Sequence, residues 1–124
     1  VQLSNLVQDH EDPTKLWATS HVVADLGMGR PLGGCFTNDN TLYIADAHLG
    51  LTRLSLNSPS AKVELVASRV IDQGQWTQIL YANDVVVGPK TGRVYFTDCK
   101  WDYWQGMIRG DFLLTLVTSW SYPH

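Results

Sequence analysis

The chain has 124 residues, a net charge of −3, and 44% apolar and 17% charged residues, which is the composition of about one globular domain. Its nine Lys and Arg residues are scattered, so the charge pattern predicts no binding to nucleic acid or to an anionic membrane. The apolar stretch around residues 112–117, which Thr115 interrupts, is far too short to cross a bilayer.

From residue 21 onward the sequence mainly predicts β-strands, because segments rich in β-branched and aromatic residues are separated by Gly, Pro and Asn. A short strand-like run covers residues 21–27. Four antiparallel strands with short turns are then predicted at Pro31–Phe36, Thr41–Asp46, 50–56 and 61–68. Gly33 and Gly34, within the first of these strands, predict a close approach of two backbones.

The pattern restarts about fifty residues later. "TLYIAD" (41–46) and "RVYFTD" (93–98) share one register, with Asp46 and Asp98 at equivalent ends. A four-stranded unit that repeats at this spacing is typical of a β-propeller blade. The consecutive Val85, Val86 and Val87 predict a strand covered on both faces, as the innermost strand of a blade is.

Four motifs carry a resemblance to a known family: "GRPLG" (29–33), "LYIADAHLGL" (42–51), "YAND" (81–84) and "GRVYFTDCKW" (92–101). Their order and spacing resemble those of the strictosidine synthase-like family, which includes the plant strictosidine synthases and animal hemomucin-like proteins. The resemblance covers about residues 29–117. Met28 stands where the family usually has a disulfide-forming Cys.

The resemblance implies an all-β fold, a partial six-bladed β-propeller related to the arylesterase and lactonase (SMP-30/gluconolactonase-like) propellers. About two blades of four-stranded antiparallel sheet are expected. The end of a preceding blade and an N-terminal extension would occupy residues 1–28, and one complete blade residues 29–69. A partial second blade with a divergent C-terminal tail would occupy residues 70–124.

The resemblance also implies small-molecule chemistry. The family's reactions are a lyase-type condensation of an amine with an aldehyde, or hydrolysis of aryl esters or lactones. Its catalytic glutamate belongs to a late blade beyond the matched region, so we expect a fragment that is inactive alone and whose catalytic residues are unknown. The alternative is a structural or interaction subunit that binds the remaining blades or other chains through exposed strand edges.

Asn83 is the strongest candidate site residue. In related propellers an Asn in such an Asn-Asp motif faces the channel, where it coordinates calcium or orients a substrate, and an amide oxygen suits Ca²⁺. The resemblance therefore predicts Asn83 as a metal ligand, with Ca²⁺ bound only in an intact propeller. An Asn-Asp pair also caps a strand through backbone hydrogen bonds, and this alternative stays open.

Asp84, His48 and Arg30 are the other residues expected to face the channel. A neutral imidazole at His48 would carry protons there, whereas a surface or packing role is the alternative. The guanidinium of Arg30 would face a ligand or fasten one blade to the next. Asp46 and Asp98 are either an acid–base pair or, as favoured here, acceptors of turn hydrogen bonds.

Cys35 and Cys99 are too few for a disulfide framework and lack zinc-site spacing, so buried free thiols are expected, with a Cys35–Cys99 bridge as the alternative. The resemblance implies a secretory or extracellular protein.

Overall fold

The computed structural model describes residues 1–58 and 60–99, and within these ranges the only regular secondary structure is β-strand. The strands are β1 (Gln2–Gln8), β2 (Leu16–His21), β3 (Pro31–Phe36), β4 (Thr41–Asp46), β5 (Gly50–Ser55), β6 (Val63–Ala67), β7 (Arg69–Asp72), β8 (Gln75–Gln78), β9 (Ala82–Val87) and β10 (Val94–Asp98). The described part of the chain has no helix of the length and hydrophobicity that a membrane crossing requires.

The centre of the chain is one four-stranded antiparallel sheet in the order β3–β4–β5–β6. This confirms the four predicted strands, and the first two have the predicted bounds. The third ends one residue early because the amide of Leu56 donates to Asn40 O in the neighbouring turn, at 3.0 Å, rather than to the sheet. The fourth is shorter than predicted at both ends, since residues 61, 62 and 68 lie outside its ladder.

The strand prediction for residues 21–27 is wrong. β2 ends at His21, and the residues that follow form no strand. The carboxylate of Asp25 accepts a hydrogen bond from the amide of Gly27 at 2.8 Å, and Gly27 has a φ of 60°. This side-chain bond closes a turn where the apolar pattern had favoured an extended chain.

The hairpins β1–β2 and β7–β8 were not predicted. Most side chains of β1 and all those of β2 are exposed, so neither strand shows the alternation of buried and exposed residues on which strand prediction depends. β7 and β8 are only four residues each and turn through Gln73 and Gly74, which both have positive φ.

The second hairpin, β9–β10, repeats the register of β3–β4. In each, the pairing shifts by one residue just before an aspartate, and that aspartate pairs with the first residue of the partner strand: Asp46 with Pro31, and Asp98 with Ala82. The bond from Ala47 N to Arg30 O recurs as the bond from Cys99 N to Tyr81 O, both at 2.9 Å. The sequence repeat is therefore a structural repeat.

The core lies between the four-stranded sheet and the β9–β10 hairpin. Its buried members are Ala45, Leu51, Val70, Ile79, Ala82, Val85, Val94 and Phe96. The prediction that both faces of β9 are covered is wrong for the described residues. Val85 is 5% exposed, whereas Val86, on the other face, is 56% exposed.

The two units approach closely at Gly33. A Cβ on this glycine would lie 2.7 Å from the Cα of Asp84 and 2.8 Å from the carbonyl oxygen of Asn83. Gly34 lacks such crowding, since its nearest neighbours would be 3.4 Å away. The close backbone approach is thus confirmed for Gly33, and it brings β3 and β9 side by side.

Candidate functional site

The four candidate residues lie at one end of the packed sheets. Arg30 directly precedes β3, Asn83 and Asp84 lie near the start of β9, and His48 lies in the turn between β4 and β5. Because β3 and β4 are antiparallel, the start of β3 and the end of β4 share an edge, and Gly33 places the start of β9 beside them. All four side chains are exposed. That they line a channel stays a prediction.

The irregular start of β9 presents Asn83. The amide of Asp84 donates to Thr97 Oγ1 at 3.1 Å, and the carboxylate of Asp84 accepts from the amide of Val85 at 2.9 Å. Asn83, which directly precedes these residues, forms no side-chain hydrogen bond with the described part of the chain. Its amide is therefore free to bind a ligand, while Asp84 is partly engaged with the backbone.

Asp98 fixes the segment that leads into β9. Its carboxylate accepts hydrogen bonds from the amide of Tyr81 at 2.7 Å and from that of Leu80 at 3.1 Å. Thr97 and Asp98, at the open end of this hairpin, therefore have a structural role, since they accept hydrogen bonds from the backbone amides on either side of Asn83.

Asp46 has the corresponding place in the first hairpin and is fully buried. Its Oδ1 accepts from the amides of His48 and Leu49, both at 2.8 Å. Its Oδ2 is buried and has no hydrogen-bond partner among the described residues. Both aspartates thus bind backbone amides, which favours the turn-forming interpretation over an acid–base pair.

His48 is held through one ring nitrogen. Its Nδ1 lies 3.0 Å from the carbonyl oxygen of Met28. A carbonyl only accepts hydrogen bonds, so Nδ1 is the protonated nitrogen and Nε2 carries the lone pair in the neutral ring. Since the side chain is exposed, Nε2 is available to accept a proton.

Arg30 contributes to the site through its backbone. Its carbonyl accepts from the amide of Ala47, which ties the start of β3 to the β4–β5 turn. Its exposed guanidinium forms no ion pair with the residues of 1–58 and 60–99. Its predicted role in binding a ligand or a neighbouring blade stays a prediction.

No group of three or more His, Cys, Asp and Glu side chains that would hold a metal occurs within the described ranges. A Ca²⁺ ion takes about six to eight oxygen ligands, so Asn83 supplies one of several. Cys35 and Cys99 are free thiols, as expected, but both are half-buried rather than buried.

Sequence reasoning missed a cavity of about 550 Å³ near the opposite end of the sheets. It lies between the four-stranded sheet and the second hairpin, and its polar lining includes Asp39, Arg53, Lys62 and Glu64. The guanidinium of Arg53 contacts the carboxylate of Glu64 at 2.8 Å, and these two residues pair across β5 and β6. Opposite charges at equivalent positions of predicted neighbouring strands were the available signal.

These antiparallel sheets, packed face to face and repeating one register, give the described residues an all-β architecture that is consistent with part of a β-propeller. No family model and no solved structure matches the chain. Several curated proteins, in contrast, match the chain. The chain is 35% identical over 89 residues to adipocyte plasma membrane-associated protein of Gallus gallus, an alignment that covers 72% of this chain and 20% of that protein.

A plant protein and a mammalian protein give similar matches. Protein STRICTOSIDINE SYNTHASE-LIKE 2 of Arabidopsis thaliana is 34% identical over 107 residues, which covers 82% of this chain and 26% of that protein. Adipocyte plasma membrane-associated protein of Mus musculus is 32% identical over 91 residues, with coverage of 73% and 20%. The chain belongs to the strictosidine synthase-like family, as a partial copy. It spans about a fifth to a quarter of the length of these curated relatives.

Proposed function

We propose that this chain is part of a six-bladed propeller of the strictosidine synthase-like family, and that it contributes Asn83 to a small-molecule site in the central channel. The observation that supports this proposal is the pattern of hydrogen bonds at the start of β9. There the side chains of Asp84, Thr97 and Asp98 accept hydrogen bonds from backbone amides. The side-chain amide of Asn83 is exposed and forms no hydrogen bond with the described residues.

The chemistry proposed for the complete propeller is hydrolysis of an aryl ester or a lactone, or condensation of an amine with an aldehyde. Asn83 would supply one oxygen to a Ca²⁺ ion, with the other ligands coming from sheets beyond the described residues. A bound Ca²⁺ would polarise a substrate carbonyl. Of this chain's own groups, His48 Nε2 would accept a proton at the same end of the sheets. One ligand and one base do not complete a site, so the chain alone is inactive.

Calcium titration of the longest natural form of the protein tests this proposal. We expect Asn83→Ala to weaken Ca²⁺ binding by about tenfold or more, because even partners outside the direct ligands contribute that much at metal sites. Asn38→Ala is the matched control, since Asn38 is an exposed asparagine in the β3–β4 turn at the opposite end. Equal calcium affinity for the Asn83→Ala variant and the parent protein would remove Asn83 from the metal site.

A second function is favoured by the exposed apolar side chains. Leu3, Trp17 and Trp76 are each 60% or more exposed, and they lie on hairpins with unpaired edges. Such surfaces pair with other chains. In this alternative the chain is a structural subunit that binds protein through its sheet edges. A natural form that binds neither Ca²⁺ nor ester, lactone or amine substrates, but is isolated within a stable protein complex, would favour it.

A further inference from the structure

We propose that Asp46 is a positioning residue for His48, and that it fixes both the place of the imidazole and the nitrogen that carries the proton. Asp46 contacts the two segments that decide these properties. The first is the turn from which His48 projects, and the second is the backbone next to the carbonyl that accepts from His48 Nδ1.

The contact with the turn is direct. Oδ1 of Asp46 accepts hydrogen bonds from the amides of His48 and Leu49, both at 2.8 Å. Because Asp46 is fully buried, water does not compete for these bonds. A carboxylate that accepts two amides holds a three-residue turn in one conformation, so the Cα of His48 has a fixed position above the sheet.

The second contact is made by Oδ2. A Cβ built on Gly29 would lie 2.5 Å from this atom, which means that the carboxylate lies tightly against the Gly29 backbone. The preceding residue is Met28, whose carbonyl oxygen lies 3.0 Å from His48 Nδ1. Asp46 therefore sets the distance between the His48 turn and the Met28 carbonyl, and that distance decides which ring nitrogen is protonated.

The second hairpin supports this assignment by contrast. There, Asp98 accepts from the amides of Leu80 and Tyr81, the two residues that precede β9. Asp46 instead accepts from the turn that follows its own strand, and its other oxygen has no partner among the described residues. A buried carboxylate oxygen without a partner is costly, and a functional role is one of the explanations for keeping such a group.

The role given to His48 in proton transfer rests on the proposed function, but the link between Asp46 and His48 is measured without it. Nitrogen-15 NMR of the imidazole distinguishes the protonated nitrogen from the one with the lone pair. In the longest natural form we expect His48 in a single tautomer with Nε2 unprotonated. A mixture of tautomers in the parent protein would overturn the proposal.

Two variants test the role of Asp46. Asp46→Asn places a donor against Gly29, and Gly29→Ala pushes the side chain of Asp46 away without changing its chemical identity. We expect both variants to lose the single tautomer of His48, while the ring signal of His21, which lies 3.1 Å from Ser4 Oγ, stays unchanged. Asp98→Asn is the matched control and leaves His48 unaffected.

The outcomes separate the two ideas. If Asp46→Asn does not fold, Gly29→Ala decides alone, and a single Nε2-unprotonated tautomer retained in the folded variant would overturn the positioning role. If the tautomer is lost in the variants but substrate turnover and Ca²⁺ binding are absent from the parent protein, the positioning role stands and the proposed function fails.

Discussion

At the scale of single residues, Gly33 controls how closely the two units pack. A methyl group there would lie 2.5 Å from Asp84 Oδ1 and 2.7 Å from its Cα, and backbone atoms cannot move aside without disturbing the strand. We expect Gly33→Ala to lower the free energy of unfolding by about 1–3 kcal/mol through overpacking. Chemical denaturation measures this.

Gly34→Ala is the matched control for that prediction. The neighbouring glycine has room for a methyl group, with the nearest atoms 3.4 Å away, and alanine loses less backbone entropy than glycine on folding. This variant is expected to be as stable as the parent or slightly more stable. Equal stabilities for the two alanine variants would show that the Gly33 contact does not limit the packing.

The sequence predicts some site residues better than others. Asn83 and Asp84 were identified through the resemblance to an Asn-Asp motif of related propellers, and the structure places both near the irregular start of β9. The bond between His48 and Met28 was not predicted, because a strand pattern brings the two segments together but does not encode the orientation of a side chain in the turn between strands. No pattern in the sequence predicted that Asp46 is fully buried.

At the scale of elements, the β3–β4 turn is closed by side chains. The hydroxyl of Thr37 donates to the carboxylate of Asp39, and Asn40 has a φ of 60°. The hydrogen bond from Thr37, followed by that from Thr41, holds the pKa of Asp39 below its usual value of 3.8. A carboxylate with a lowered pKa stabilises the fold above pH 3.8, and this contribution is lost as the pH falls through the lower, folded-state value.

Thr37→Val removes that hydroxyl and keeps the shape of the side chain. We expect the pKa of Asp39 to rise toward 3.8, because its main hydrogen-bond donor is gone. A carboxyl NMR titration measures this change. Asp12 is the internal control, since its pKa is lowered first by the hydroxyl of Thr14 and should not move. An unchanged pKa at Asp39 would contradict the assigned cause.

The strands with the most buried residues, β4 and β5, were predicted from the sequence, whereas the almost wholly exposed β1, β2 and β8 were missed. β4 and β5 combine β-forming residues with buried positions, and their pairing follows the predicted order. β1, β2 and β8 are almost wholly exposed in the described structure, so the contrast between apolar and polar faces that would mark them does not exist. Their strand conformation depends on pairing, β1 with β2 and β8 with β7, which a local pattern does not encode.

At the scale of the whole molecule, apolar side chains remain on the outer faces. Val86 is 56% exposed on the face of β9 opposite the core. Exposed apolar strands associate with other chains, so we expect this chain alone to self-associate as its concentration rises. Sedimentation velocity over a range of concentrations would show the increase in mass, and a monomer at every concentration would contradict it.

The variant Val86→Lys should weaken that association, because a charge on this face is costly to bury. Gln75→Lys adds the same charge at an exposed polar position of β8 and is the matched control. If both variants weaken self-association equally, net charge rather than the β9 face is the cause.

The glycine contact between the two units has one more consequence. Asn83 owes its position to its own strand and also to a residue fifty positions earlier that has no side chain. A chimera that took its first sheet from a relative would therefore shift the asparagine whenever the donor had a bulkier residue there, even with the second hairpin left untouched. One repeat of this protein is therefore exchangeable without its neighbour only where the donor sheet keeps a glycine at this position.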